Sequence, residues 1–211
     1  MEKKEIVRKG YNETAEILNK IVGIDRKEEE EQVKLLLKFS SRIPPNGRIL
    51  DAGCGNGAYS HILSENFEVI GVDISEKQIE LAKQNAPEAK FICQDITKVN
   101  FPAEYFDGIL AYYSIIHIPR EEHQVVLRNF HRMLKINGIA LCAFGTKDDP
   151  ESYDGDFFGT GSKMFWSGFD QETNLKIIQD AGFKINWSKL VQESPKWGET
   201  YHLFVMAEKL Y

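Results

Sequence analysis

A glycine-rich turn and two aspartates stand at the ends of three apolar segments. Residues 53–57 read Gly-Cys-Gly-Asn-Gly and follow the apolar segment at 48–52. Such a turn lets backbone approach a ligand closely and presents amide groups at the start of a helix. Asp73 and Asp95 end the next two apolar segments, and a carboxylate about 20 residues beyond such glycines can accept both hydroxyls of a ribose. Asp73 has that spacing, so the pattern predicts a site for a ribose-containing ligand.

The elements that must position these residues alternate between strand and helix. The apolar pattern predicts buried strands at residues 48–52, 69–73, 91–93, 106–112 and 138–144. Helices are predicted between them, at 58–66, from the cap Ser75 to Ala86, and from Pro119 or Arg120 to Leu134. Alternation at this spacing is typical of right-handed βαβ units, which build a mainly parallel sheet covered on both faces.

The C-terminal part has a different pattern. It predicts a helix at 171–181 and two strands at 183–190 and 201–208, separated by turn residues at 194–198. Such a late pair can form an antiparallel hairpin at one sheet edge. The predicted fold is therefore α/β: a doubly wound, Rossmann-like, mainly parallel sheet of about seven strands, with an antiparallel C-terminal edge hairpin and helices on both faces.

We expect one domain over residues 1–211, because its length suits a single core. Amphipathic segments at 7–22 and 26–41 predict N-terminal cap helices within 1–42, the latter with an acidic start, and 48–144 forms the core. Residues 145–170, rich in Asp, Gly and Ser, predict a loop over the sheet edge that acts as a lid. Residues 171–211 supply the last helix and the hairpin.

Composition excludes several classes of protein. Hydrophobic residues at 42% and charged residues at 27% match a globular average, and the net charge of −6 disfavours a nucleic-acid partner. The three cysteines lack metal-ligand spacing and are expected to be reduced, so we expect a cytoplasmic protein without a bound metal. No apolar run approaches the length that a bilayer span requires, and we expect a monomer or homodimer away from membranes.

From Arg48 to Phe144 the sequence resembles the class I S-adenosylmethionine-dependent methyltransferases. The resemblance rests on Ile49-Leu50-Asp51-Ala52-Gly53-Cys54-Gly55-Asn56-Gly57, Val69-Ile70-Gly71-Val72-Asp73-Ile74-Ser75, Phe91-Ile92-Cys93-Gln94-Asp95-Ile96 and Ser114-Ile115-Ile116-His117-Ile118-Pro119. It implies that S-adenosylmethionine is the cofactor and S-adenosylhomocysteine the product. The implied acceptor is a small molecule methylated on oxygen, nitrogen or sulfur.

The resemblance also implies roles for individual residues. The first motif would wrap the methionine part of the cofactor, Asp73 would hold the ribose, and Asp95 would bond the adenine amino group. The segment at 10–15 resembles a cofactor-covering helix whose tyrosine contacts the methionine part. The implied cofactor-binding residues are Tyr11, Asp51, Ala52, Gly53, Gly55, Asn56, Gly57, Asp73, Ile74, Gln94, Asp95, Ile96, Ala111 and Tyr112.

His117 and Tyr113 are the candidate catalytic residues. They follow the fourth predicted strand, where members of the family face the methyl group, and a base helps if the acceptor carries a proton. The alternative for His117 is a structural role in which the ring bonds backbone and pins its own loop. The acceptor pocket is expected between the N-terminal helix, this loop and 146–170, whose aromatic residues either form a mobile wall or dock the segment on the sheet edge.

Two other functions remain open. A nicotinamide-type dinucleotide oxidoreductase uses similar glycines, but the third glycine is absent at the dehydrogenase spacing. Asp51 at the mouth of the site would also repel a pyrophosphate, whereas a sulfonium tolerates it. The second alternative keeps the fold and the cofactor without catalysis, as in a sensor or scaffold.

Overall fold

The central sheet confirms the predicted topology. The computed structural model describes residues 2–23, 30–193 and 200–211. The strands are β1 Arg48–Ala52, β2 Glu68–Asp73, β3 Lys90–Cys93, β4 Phe106–Ala111, β5 Leu134–Phe144, β6 Asp149–Phe157, β7 Ser162–Gly168, β8 Lys184–Gln192 and β9 Tyr201–Glu208. Seven of them form one sheet in the order β3-β2-β1-β4-β5-β9-β8, in which β9 pairs antiparallel with both β5 and β8. The other pairings in the sheet are parallel.

Helices cover both faces of this sheet, as the alternation of apolar residues requires. They are α1 Lys3–Val22, α2 Glu30–Ser40, α3 Ala58–Ser64, α4 Glu76–Asn85, α5 His123–Met133 and α6 Gln171–Asp180. In β1, Leu50 packs in the core cluster that contains α5 and α6, and its neighbour Ile49 packs in the cluster that contains α2 and α3. Successive residues of a buried strand thus serve opposite faces.

The predicted loop over 145–170 is wrong, because β6 and β7 form a two-stranded antiparallel hairpin there. The register of this hairpin shifts twice, between Asp149 and Ser152 and between Asp154 and Phe157. Each shift interrupts the two-residue alternation by which a strand is recognised in a sequence. The hairpin buries Phe157, Met164 and Phe165 against α1 and forms a third, smaller core cluster.

The N-terminal segment is a single helix that starts earlier than its apolar pattern indicates. Its first turn is polar, and two lysines there hold the helix by ion pairs rather than by burial. Lys3 Nζ lies 2.7 Å from a carboxylate oxygen of Glu151 on β6, and Lys4 Nζ lies 2.6 Å from one of Glu122. Within the described part of the chain, no helix is long and apolar enough to span a membrane.

The remaining boundaries lie close to the predicted ones, with two exceptions. A 3-10 turn at Arg120–Glu122 precedes α5, so that helix begins at His123. β5 begins earlier than predicted, at Leu134, which pairs with Phe106. The next pair is Gly108 with Ile139, and this shift in register accommodates the turn at residues 136–138 within the strand. The acidic start of the helix predicted at 26–41 lies partly outside the described residues, and the turn predicted at 194–198 lies entirely outside them.

Gly10 marks the place where α1 rests directly on β7. A Cβ at this position would lie 2.6 Å from the carbonyl oxygen of Lys163 and 2.8 Å from Cε of Met164. Backbone cannot yield at such distances, so α1 would have to move away from the hairpin. The absent side chain therefore sets how closely this helix approaches β7.

We expect Gly10→Ala to lower the free energy of unfolding by about 1–3 kcal/mol, because overpacking outweighs the helix propensity that alanine gains. Denaturant unfolding measures the change. Gly155→Ala is the matched control on the same hairpin, since its Cβ would meet nothing within 4 Å. A Gly10→Ala protein as stable as the wild type would show that the helix does not seat against β7.

Candidate active site

A cavity of about 260 Å³ lies at the carboxyl ends of β1 to β4, beneath α1. This is where parallel α/β sheets bind ligands, because loops diverge there and leave a crevice. The cavity is lined by Lys4, Val7, Tyr11, Leu18, Gly53, Cys54, Gly55, Asn56, Tyr59, Asp73, Ile74, Gln78, Asp95, Ile96, Tyr112, Tyr113, Ser114, His117, Ile118 and Glu193.

Asp73 holds the glycine-rich turn in place. Its Oδ2 accepts a hydrogen bond from the Gly55 amide at 2.9 Å, and its Oδ1 accepts one from the Ser75 amide at 2.9 Å. The carboxylate therefore links the turn after β1 to the start of α4, where Ser75 Oγ accepts from the Gln78 amide. Burial raises the pKa of Asp73 to about 6, although both amide bonds favour the charged form.

The same turn approaches the loop after β4 too closely for a side chain. At Gly53 the backbone adopts φ 84°, and a Cβ there would lie 2.2 Å from Cβ of Ser114. The Ser114 hydroxyl donates to the carbonyl oxygen of Ala52 at 2.6 Å and so ties the two loops together. The pocket wall between β1 and β4 depends on this contact.

Asp95 forms the pocket wall beyond β3 and is paired with the covering helix. Its Oδ1 accepts from the Thr97 amide at 2.9 Å, and its Oδ2 lies 3.2 Å from Nζ of Lys4 on α1. Lys4 also donates to the Thr97 hydroxyl at 2.7 Å. The N-terminal end of α1 is thereby fixed over the ends of β2 and β3.

His117 joins α1 to the hairpin. Nδ1 lies 2.8 Å from the carbonyl oxygen of Phe165, and Nε2 lies 2.8 Å from the Tyr11 hydroxyl. A carbonyl can only accept, so we assign the proton to Nδ1 and infer that Tyr11 donates to Nε2. Burial lowers the pKa of His117 to about 4, and the ring is neutral at pH 7. The Trp166 ring packs against it with 4.2 Å between centroids.

Tyr113 takes part in a second polar cluster, on the β4 side of the pocket. It adopts a left-handed backbone conformation with φ 56°, which is strained for a tyrosine and is characteristic of functional loops. Its hydroxyl donates to Glu193 Oε1 at 3.0 Å and accepts from Gln32 Nε2 at 3.2 Å. His202 Nδ1 lies 2.8 Å from the same carboxylate oxygen.

The chain is similar to known methyltransferases. Residues 49–138 match the family profile described as a methyltransferase domain. Phosphoethanolamine N-methyltransferase 3 of Arabidopsis thaliana is 30% identical over 148 residues, which are 67% of this chain and 30% of the plant protein. The putative methyltransferase YqeM of Bacillus subtilis (strain 168) is 26% identical over 187 residues, 79% of this chain and 67% of that protein.

Solved structures agree on the fold. Magnesium protoporphyrin IX methyltransferase from Synechocystis PCC 6803, solved with bound S-adenosylmethionine, superposes with a TM-score of 0.75 at 22% identity, over 99% of this chain and 98% of that one. The chain has the fold of the S-adenosylmethionine-dependent methyltransferases, and its residues 49–138 are similar to a methyltransferase domain. It spans only about a third of the length of the Arabidopsis relative. The [4+2]-cyclase SpnF has the same fold, with a TM-score of 0.74 at 17% identity over 96% of this chain and 94% of that one.

In this methyltransferase fold, most of the predicted site residues line one cavity. They are Tyr11, Gly53, Gly55, Asn56, Asp73, Ile74, Asp95, Ile96, Tyr112, Tyr113 and His117. Five others lie outside its lining: Asp51, Ala52, Gly57, Gln94 and Ala111. Asp51 is buried behind the turn, where its Oδ2 accepts from the Ser60 hydroxyl at 2.6 Å. The roles assigned to all of these residues stay predictions.

Several lining residues escaped the sequence-based prediction. Lys4, Val7 and Leu18 lie seven before, four before and seven after Tyr11, so helical spacing from that tyrosine would have found them. Cys54, Tyr59, Gln78, Ser114 and Ile118 are close in sequence to predicted residues. Glu193 has no such local signal, because it reaches the pocket from the end of β8.

The contact between α1 and His117 yields a prediction about the Tyr11 hydroxyl. Tyr11→Phe removes the donor to His117 Nε2 and leaves a buried acceptor unpaired, which costs about 1–3 kcal/mol. We expect a corresponding fall in the free energy of unfolding, measured by thermal or denaturant unfolding. Tyr153→Phe on β6 is the control, because the Tyr153 side chain is exposed and its hydroxyl donates to Glu151 on the same strand. Equal stability of the two variants would contradict the assigned hydrogen bond.

Proposed function

We propose that this chain transfers the methyl group of S-adenosylmethionine to the oxygen, nitrogen or sulfur of a small-molecule acceptor. One observation carries the proposal: Asp73 and Asp95, at the ends of adjacent strands, line the same cavity as the glycine-rich turn. A carboxylate at the end of β2 suits the ribose hydroxyls, and the next one suits the adenine amino group. Ile74 and Ile96 lie beside them in the lining and suit the faces of the adenine.

The charges around the cavity fit a sulfonium better than a pyrophosphate. Among the described lining residues, three carboxylates are present, those of Asp73, Asp95 and Glu193, and the one lysine, Lys4, is paired with Asp95. A diphosphate would face carboxylates without compensating cations. This balance favours S-adenosylmethionine over a nicotinamide dinucleotide and argues against the oxidoreductase.

The cofactor supplies an electrophilic methyl group, and the protein's task is to align an acceptor and exclude water. The covering helix α1 forms the roof of the cavity, and the hairpin β6–β7 supports that helix, which is held by Tyr11 and His117. Both ring nitrogens of His117 are hydrogen-bonded, so the ring's first role is to position Tyr11. Tyr113 and the Glu193 carboxylate to which it donates are the groups that remain for proton removal.

Several relatives support a small-molecule acceptor without selecting one. Their names include a phosphoethanolamine N-methyltransferase and a 27-O-demethylrifamycin SV methyltransferase, which act on different atoms. The net charge of −6 opposes binding of a nucleic acid. Three free cysteines, Cys54, Cys93 and Cys142, favour a reducing compartment such as the cytoplasm, with the chain as a monomer or homodimer.

Calorimetric titration with S-adenosylmethionine, S-adenosylhomocysteine and NADH tests the proposal. We expect micromolar binding of the first two and none of NADH, followed by S-adenosylhomocysteine production with an acceptor panel. Binding of NADH alone would replace the proposal with an oxidoreductase. Cofactor binding without turnover on any acceptor would favour the sensor or scaffold, which the same fold permits.

The raised pKa of Asp73 predicts that cofactor affinity depends on pH. The ionised carboxylate is the better acceptor for ribose hydroxyls, and with a pKa of about 6 only about a tenth of it is ionised at pH 5. We expect the dissociation constant for S-adenosylhomocysteine, measured by calorimetry, to rise about tenfold from pH 7 to pH 5.

Asp73→Asn provides the control for that measurement, since it keeps the shape of the side chain and removes the titration. The affinity of this variant for S-adenosylhomocysteine should be weaker than that of the wild type at pH 7 and nearly independent of pH. Any pH dependence that the variant retains measures proton binding by the ligand itself. A wild-type dissociation constant that stays unchanged between pH 7 and pH 5 would refute the ribose role of Asp73.

A further inference from the structure

Glu193 brings a carboxylate into the pocket from outside the shared cofactor-binding core. It follows β8, on the far side of the sheet from β2 and β3, and its amide donates to the carbonyl oxygen of Thr200 at 2.8 Å. Its side chain is only 10% exposed, and it lines the same cavity as Asp73 and Asp95. A buried carboxylate requires compensating contacts or a charged ligand.

Among the described residues, the contacts of Glu193 hold its orientation without supplying a lysine or arginine. Tyr113 donates to it at 3.0 Å, Gln32 Nε2 lies 3.3 Å from Oε2, and His202 Nδ1 lies 2.8 Å from Oε1. Among the described residues that line the cavity, the single lysine is Lys4, which pairs with Asp95 beyond β3. The cluster of Glu193, Tyr113, Gln32 and His202 is therefore a fixed acidic group facing the β4 side of the pocket.

Three tyrosine rings line the same cavity as this carboxylate, and one of them, Tyr113, contacts it. Tyr59, Tyr112 and Tyr113 all line the cavity, with 4.9 Å between the centroids of the first two rings and 6.0 Å between those of the last two. Tyrosine rings attract cations through their electron-rich faces, and a carboxylate nearby adds a direct ion pair. This combination suits an ammonium group and repels an anion.

The position of the cluster in the sequence separates it from cofactor recognition. The match to the methyltransferase family covers residues 49–138, which contain the glycine-rich turn, Asp73 and Asp95. Gln32, Glu193 and His202 lie outside it, in the parts that pack around the shared core. Residues that choose the acceptor are expected there, because one fold hosts many acceptors.

We propose that the acceptor is a primary amine whose ammonium group binds to Glu193 against the tyrosine rings. This inference rests on the proposed methyltransferase function and names its substrate class. The ammonium first gives one proton to the Glu193 carboxylate, which passes it to solvent. The nitrogen lone pair then bonds the methyl carbon while the sulfur–methyl bond breaks, and sulfur keeps that electron pair. The methylated nitrogen carries the positive charge and pairs again with Glu193.

A matched set of small probes tests the charge preference of this cluster. We would saturate the protein with S-adenosylhomocysteine and titrate 2-phenylethylamine, 2-phenylethanol and 3-phenylpropionate, following binding by saturation-transfer NMR. The three probes share the phenylethyl unit and differ in charge. We expect the amine to bind at least tenfold more tightly than the alcohol, and the carboxylate not to bind.

Glu193→Gln keeps the size of the side chain and removes its charge, and Glu172→Gln on the exposed start of α6 is the matched control. We expect Glu193→Gln to weaken the amine at least tenfold while affinity for S-adenosylhomocysteine stays within twofold, and Glu172→Gln to change neither. The proposal is overturned if the wild type binds no amine, or if it binds the alcohol or the carboxylate as tightly as the amine. It is also overturned if Glu193→Gln has the wild-type affinity for the amine.

Two further outcomes separate this proposal from the one on which it rests. Loss of S-adenosylhomocysteine binding in Glu193→Gln would assign Glu193 to the cofactor instead of the acceptor. Failure of the wild type to bind S-adenosylhomocysteine would overturn the methyltransferase function itself.

Discussion

The buried carboxylate of Asp73 is the interaction on which the pocket depends. It accepts the amides of Gly55 and Ser75, and so fixes the turn after β1 to the start of α4. Parallel strands place the ends of β1 and β2 side by side, but the loops beyond them are free to diverge. Because the Asp73 side chain bonds both loops, they cannot diverge. The pairing of β1 with β2 therefore fixes the geometry of the ligand site.

The roof depends on a different set of contacts. Tyr11, His117 and the carbonyl of Phe165 form a chain of hydrogen bonds from α1 through the loop after β4 to β7. Gly10 allows the close approach that brings Tyr11 into range. The apolar face of α1 packs on the hairpin in the third core cluster, and these polar links add directional contacts that join the helix to the loop after β4. His117 therefore does more than pin its own loop, because it connects three elements.

Sequence patterns predicted the core of the fold well, and for a physical reason. Strands β1, β2 and β4 are buried on both faces and are mostly apolar, so they can be recognised in the sequence, and the position of Asp73 at the end of β2 follows from them. The hairpin β6–β7 was missed because its bulges break the alternation between Asp149 and Phe157. Glu193 was missed because its place in the pocket depends on strand order, since β9 lies between β5 and β8. No local pattern encodes that order.

The two buried titrating groups that line the pocket, Asp73 and His117, show what kind of ligand it prefers. Burial raises the pKa of Asp73 to about 6 and lowers that of His117 to about 4, so both groups favour their neutral forms when covered. Between about pH 6 and pH 4, Asp73 takes up a proton on folding, and its contribution to stability becomes more favourable as the pH falls. His117 releases one, and its contribution is present above about pH 6.5 and is lost as pH falls towards 4.

The contributions of Asp73 and His117 to stability depend on pH in opposite directions and offset one another in acid, but they do not do so at pH 7. There His117 is neutral and Asp73 carries a charge that its surroundings disfavour. A cation bound in the covered pocket relieves that cost, whereas an anion increases it. The same burial that covers the site therefore selects a positively charged ligand, which is the property that a sulfonium cofactor and an ammonium acceptor share.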